Sequence, residues 1–228
     1  MTEADFLSSI KPGEYLLHTD YDFQMRLEAF NKIALTICPG FEMDVDNREI
    51  YLNPIKYFAG DKTSIYDLRK GLYVYGNVGV GKTIYFKIFN ILNRAVKSPG
   101  ENNFSVINVN DLVTGFAQKG FEYLSNIGFY MTYFGGSYGT GSGYGPGHLL
   151  LDDLGQSAST IKHFGNNTNI IAEFIQRRYY IYTEAFKLTH VSTNMLPKQI
   201  RKEYGEFVAS RMMQMFNIIL FPGNDKRK

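Results

Sequence analysis

One cysteine in 228 residues, Cys38, removes two classes of chemistry at the outset. Without a second thiol the chain has no internal disulfide, and a zinc site built on several thiolates is excluded with it. Cys38 itself reads as a small buried apolar residue. The four histidines, His148 among them, show no metal-ligand spacing. Long apolar runs are missing too: nothing is long enough to span a bilayer, and no cationic leader precedes an apolar segment. The expectation is a cytoplasmic protein with no membrane partner. Neither charge is in marked excess, since 24 Lys and Arg stand against 22 Asp and Glu for a net charge of +2. Any nucleic-acid contact therefore has to come from a local basic surface and not from the overall field.

What is present is an ordinary globular composition, 44% hydrophobic and 20% charged, in a chain long enough for one sizeable core with an N-terminal extension. Within it, Gly76-Asn77-Val78-Gly79-Val80-Gly81-Lys82-Thr83 satisfies the phosphate-loop pattern G-x-x-x-x-G-K-[ST] in full. The apolar run Leu72-Tyr73-Val74-Tyr75 leads into it, and Ile84, Ile88, Leu92 and Ala95 follow at helical spacing. Strand, glycine loop and helix are the context the pattern needs. The glycines let backbone N–H groups close around phosphate oxygens, the helix N-terminus adds partial positive charge, and the lysine adds a full one. The expected ligand is ATP with Mg²⁺, with Lys82 reaching the β/γ-phosphates and Thr83 holding the metal.

Upstream of the loop, Tyr21 to Ile37 reads as an amphipathic helix with Phe23, Leu27, Phe30, Ala34 and Ile37 on one face, stopped by Cys38-Pro39-Gly40. That face fits a docking surface for another protein and fits equally a helix packed on its own domain. Asp46 to Phe58 is helical in part, with Pro54 expected to kink or end it. Downstream, Phe104–Val109, Leu149–Leu151, Leu188–Val191 and Ile218–Phe221 read as short buried strands with helical patterns between them, the signature of a parallel sheet covered on both faces. The tract from Gly135 to Gly147 has almost no core-forming side chains and reads as a mobile loop. Its Tyr138 and Tyr144 either stack on unpaired bases or belong to a plain connector.

His148-Leu149-Leu150-Leu151-Asp152-Asp153 is an apolar strand ending in paired carboxylates, a Walker B reading in which Asp152 binds Mg²⁺ and Asp153 orients or deprotonates the attacking water. Paired aspartates after a strand also serve as a turn or helix cap. The next strand ends at Ser192-Thr193-Asn194 and should lie beside the phosphate-loop strand, where Asn194 would hydrogen-bond a phosphate oxygen and a water; the alternative is an Asn cap before Pro197. Arg211, at the end of the helix before the last strand, would extend past its own subunit or pair with a nearby acid.

The segments GLYVYGNVGVGKT, HLLLDDLG, VSTN and YGEFVASR, in this order, resemble the DnaC/DnaI-type helicase loaders and the similar IstB-type ATPases of the AAA+ superfamily, over roughly Asp46 to Phe221. The resemblance implies an α/β P-loop NTPase core of AAA+ type over 46–228, a five-stranded parallel sheet between helices without a full C-terminal lid, preceded by a helical extension over 1–45 suited to partner docking. It casts Asn194 as sensor 1 and Arg211 as the finger completing a neighbour's ATP site in a homo-oligomer. Glu173 to Tyr179 resembles the helix before the sensor strand, placing Arg177 or Arg178 at an interface, on DNA or in solvent. Arg227 would substitute for a lid arginine or belong to a frayed tail. The implied function is ATP-driven loading of a DnaB-type replicative helicase onto single-stranded DNA, in a compact phage or mobile-element version. Three rivals stay open: a transposition helper, a small-molecule P-loop kinase, and a binding module that uses ATP as a clamp.

Overall fold

A computed structural model describes residues 23–45, 47–96, 103–126, 132–134, 137–139, 147–156, 160–163, 166–223 and 225. The chain divides into two compact units, and the boundary falls inside the glycine loop. Described residues up to Leu68 and from Gly79 to Asn103 make one unit; Arg69–Val78 with Phe104–Asp225 makes the other.

Among the described residues, the first unit is three helices around an aromatic core. Helix α1 (Phe23–Ile37) buries Phe30, Ile33 and Ala34, so the face read as amphipathic packs within its own unit. Helix α2 spans Arg48–Ala59 and α3 spans Lys82–Ala95. Phe30 lies 5.2 Å from Phe89 and 5.5 Å from Tyr51, and Phe58 stacks on Phe89 at 5.0 Å. Rings at such spacings add to the area they bury, which makes this cluster the main support of the unit. The buried face of α3 is centred on Tyr85 and Phe89, which leaves Ile84 exposed despite its helical spacing. Buried Arg26 ties the start of α1 to the end of α3, donating to Val96 O and Asn93 Oδ1, both at 3.2 Å.

Two expectations fail in this unit. Helix α2 continues through Pro54. A proline withholds its own N–H and crowds the preceding turn; here the Asn53 amide donates to Glu49 O (3.1 Å) and Glu49 Oε2 (2.8 Å), so that turn gains side-chain hydrogen bonds of its own. Cys38, just beyond α1, is only half-buried, because the chain is leaving the core at that point.

The second unit holds the five-stranded sheet. Strands β1 (Gly71–Tyr75), β2 (Phe104–Asn108), β5 (His148–Leu154), β8 (Thr189–Thr193) and β9 (Phe216–Leu220) are all parallel in the order β2-β5-β8-β1-β9. Strand β8 is central and buried at every position, which is why its polar residues must find partners inside the protein. Tyr73, Leu151, Leu154 and Val191 of the sheet meet side chains of α4 (Val109–Lys119), α6 (Ile170–Ala185), α7 (Pro197–Tyr204) and α8 (Glu206–Met215), including Phe116, Phe174, Ile200 and Met212.

The remaining described elements are the short helix α5 (Phe121–Asn126) and two hairpins. In the first, β3 (Thr132–Phe134) pairs antiparallel with β4 (Ser137–Gly139), so residues 137–139 of the glycine-tyrosine tract are strand where a loop was expected. Gly135-Gly136 between strand-forming residues is a strong short-range hairpin signal, which the overall glycine content obscures. Tyr144 and the rest of 140–146 lie outside the described residues. The second hairpin joins β6 (Thr160–His163) to β7 (Asn166–Asn169). No helix of the described residues is long and apolar enough to cross a membrane.

Candidate functional site

In the second unit the parallel sheet brings three strand ends side by side. Tyr75 at the end of β1 is in register with Thr193 at the end of β8, and Thr193 is in register with Leu154 of β5. Gly76, first residue of the glycine loop, donates its N–H to Thr193 O at 3.3 Å. A Cβ at Gly76 would run into the Phe221 carbonyl, so only glycine fits there. Asn77 then donates to Gly223 O at 3.3 Å. In the first unit the loop continues through Gly79 and Gly81, with φ of 77° and 103°, values that favour glycine. Gly81 O accepts from Tyr85 N–H at 2.9 Å to start α3, with Lys82 as its first residue and Thr83 as its second. The first N–H groups of such a helix have no partner within it. Lys82 is buried, whereas Thr83 is exposed.

Asp152 and Asp153 are held by residues on both neighbouring strands. Asp152 is 4% exposed, and its Oδ1 accepts a hydrogen bond from the Ser192 hydroxyl of β8. Asp153 has φ of 62°, and the pairing of β5 with β8 slips between Leu151 and Leu154. Successive strand residues normally face opposite sides, and a bulge re-aims one of them. The Asp153 N–H, turned out of the ladder, donates to Ser192 Oγ at 2.9 Å. Its carboxylate accepts from Asn108 Nδ2 of β2 at 3.3 Å and from Gln156 Nε2 at 2.8 Å. Thr193 completes the lattice: its Oγ1 donates to Leu154 O (2.6 Å) and accepts from Met195 N–H (2.9 Å). Asn194 follows and is partly exposed.

Arg211 is not at this edge. It sits within Glu206–Met215 and not at the helix end. Its guanidinium lies 3.5 Å from the Phe207 ring centre and 4.9 Å from that of Tyr179, and donates to Gln176 Oε1 at 3.4 Å. The two arginines of α6 separate. Arg177 pairs with Glu173 at 2.8 Å on the surface. Arg178, one of the pair read as interface or solvent charges, is instead buried at the start of the sheet. It donates to Thr189 Oγ1 (2.8 Å), Gly147 O (3.0 Å) and Leu188 O (3.0 Å), and burial lowers its pKa to about 10. Arg227 lies outside the described residues.

No protein-family model matches the sequence, and no curated protein matches it. Solved structures do. The crystal structure of DnaI superposes with a TM-score of 0.51 at 20% identity, covering 86% of this chain and 93% of that one. The DnaC helicase loader gives 0.50 at 16% identity, covering 82% and 96%. AMPPCP-bound DnaA from Aquifex aeolicus gives 0.50 at 16%, over 82% of this chain and 50% of that one. This is the fold of DnaI and DnaC. The expected five-stranded parallel sheet with helices is present.

The residues suit a magnesium nucleotide on chemical grounds. Positive φ at Gly79 and Gly81 permits the backbone turn that aims N–H groups at an anion. Among the described residues no three or more His, Cys, Asp or Glu gather to hold a metal. Mg²⁺ needs no such cage, since it binds through one or two carboxylates together with phosphate and water. Sequence reasoning passed over Ser192, Asn108 and Gln156. The available signal was position: Ser192 is a hydroxyl on a wholly buried strand, Asn108 ends β2, and Gln156 follows Asp153 by three.

Proposed function

We propose that this chain is an ATPase of the helicase-loader kind, binding Mg·ATP through Gly76–Thr83 and acting in DNA replication by delivering a replicative helicase to single-stranded DNA. The observation that carries the reading is the strand order β5-β8-β1, which sets the Asp152 carboxylate, the Ser192–Asn194 segment and the first glycine of the loop at adjacent strand ends. Ligands of open α/β sheets bind at such C-terminal strand ends. The likeness to DnaI and to the DnaC helicase loader supports the loader reading, and the AMPPCP held by the DnaA structure supports the nucleotide.

In this reading loop N–H groups and Lys82 bind and orient the phosphates, while Thr83 and Asp152 would hold the metal. Bound Mg²⁺ supplies charge neutralisation at the β- and γ-phosphates. Asp153 holds the attacking water at its carboxylate and receives its proton; Asn194 orients that water. Arg211 acts on a neighbouring subunit's site, which requires its guanidinium to leave the Phe207 and Tyr179 rings. The 1–45 segment is the docking extension for the helicase, and 46–228 the ATPase core. The test is ATP turnover by purified protein with and without single-stranded DNA, next to Arg211→Ala. Stimulated turnover in the wild type, and a loss of about a thousandfold in Arg211→Ala with nucleotide binding kept, is expected. Unchanged turnover in Arg211→Ala contradicts the shared site, and transfer of phosphate to a small acceptor would make the chain a kinase.

A further inference from the structure

Ser192 is 0% exposed and sits on the central strand, yet its hydroxyl serves no ladder hydrogen bond and no solvent. A hydroxyl carries one proton and two lone pairs. The Asp153 N–H donates into one lone pair at 2.9 Å, so the proton must be directed elsewhere, and the acceptor beside it is Asp152 Oδ1. Both ends of the group are therefore committed, and in opposite senses.

That arrangement has two consequences. Tying one oxygen of Asp152 fixes the plane of its carboxylate, which a lone aspartate at a strand end would leave free to rotate about its last torsion. Accepting the Asp153 N–H satisfies the amide that the bulge takes out of the ladder, and so supports the left-handed backbone at Asp153. Thr193, the adjacent hydroxyl, is engaged separately with Leu154 O and Met195 N–H. It does not duplicate Ser192.

We propose that Ser192 is the positioning residue for the metal-side carboxylate, setting the affinity of the site for the divalent cation that accompanies the nucleotide. The proposal rests on the nucleotide reading above. Groups that hydrogen-bond a metal-ligating carboxylate change metal affinity by about ten- to a hundredfold when removed. Ser192 acts through Asp152 and Asp153, so its loss should weaken the metal without weakening the phosphate loop.

The experiment is a titration of a fluorescent ATP analogue at a series of Mg²⁺ concentrations, on wild type, Ser192→Ala and Ser192→Cys. Cysteine keeps nearly the same volume but is a poor donor, which guards against a variant that fails through a cavity. The expected result is metal-free nucleotide affinity within about twofold of wild type, and a Mg²⁺ concentration for half-maximal tightening raised about tenfold or more in both variants. An unchanged Mg²⁺ dependence in either folded variant overturns the proposal, as does an equal loss of affinity with and without the metal. Absence of Mg²⁺-dependent binding in the wild type would instead overturn the nucleotide reading itself.

Discussion

The two ends of the five-stranded sheet both hold polar side chains, in part on the same strands β5 and β8, and use them differently. At the starting end, His190 Nδ1 accepts from Leu72 N–H at 3.1 Å, His148 Nδ1 accepts from Leu188 N–H at 3.0 Å, and Arg178 donates to two backbone carbonyls and one threonine. Their partners are mainly backbone, so the groups lock strands together and are consumed in doing so. At the finishing end, Ser192 with Asp152, and Asp153 with Asn108 and Gln156, are held side chain to side chain, and the Asp153 N–H joins the two groups through Ser192, around a strand turned out of regular geometry. A buried polar residue is therefore no mark of function by itself. The finishing end differs in that neighbouring side chains hold two carboxylates in place, and the nucleotide proposal draws on that difference.

Substitutions should sort by end. Between the two ends, the larger effect on turnover is expected at the finishing one: Asp152→Asn should cut ATP turnover by about a hundredfold or more while the unfolding midpoint moves by only a few degrees. Steady-state kinetics beside thermal unfolding checks both halves. Arg178→Met should do the reverse, lowering stability by about 3 kcal/mol in urea unfolding because buried carbonyls lose their donor, with the nucleotide affinity of the folded protein unchanged. A fall in affinity at constant stability would erase the distinction between the ends.

Acid should act at the starting end as well. Burial first, then the charges of Lys187 and Arg178, lowers His148 to about 4; burial first, then His148 and Arg178, lowers His190 to about 3. Below pH of about 6.5 the unfolded chain takes up protons that the folded chain refuses, so stability is full above that pH and falls as pH drops toward 4. The slope from His190 is about 1.4 kcal/mol per pH unit, and urea unfolding at a series of pH values reads it. A flat profile between pH 6.5 and 4 would mean that these rings are protonated in the fold. The smallest effect belongs to neither end: Phe207→Ala, removing one face of the Arg211 stack, should change stability by about 1 kcal/mol or less.

Strands β1, β5 and β9 were legible because each holds a short apolar run between turn signals, and Gly76–Thr83 and Asp152-Asp153 stood out because their residue types match a chemical requirement. The sequence did not reveal what depends on particular partners, near or far. Pro54 broke its helix on local grounds, until Asn53 and Glu49 supplied hydrogen bonds within the same turn. Arg178 read as solvated because its three acceptors lie 10 to 31 residues away. Ser192 was invisible as a positioning group for the same reason: Asp152 is 40 residues upstream, and only the parallel pairing of β5 with β8 brings them together. Arg211 was placed at a helix end because the following strand was visible and the helix's last turn, through Met215, was not.

Everything proposed for this chain depends on Gly76–Thr83 binding a magnesium nucleotide. The most direct measurement is equilibrium binding of ATP, with and without Mg²⁺, to the wild type and to Lys82→Ala under conditions where both are folded. The account predicts saturable, metal-dependent binding to the wild type and none that is measurable in Lys82→Ala. Equal binding by the two proteins, or none by the wild type, would contradict it.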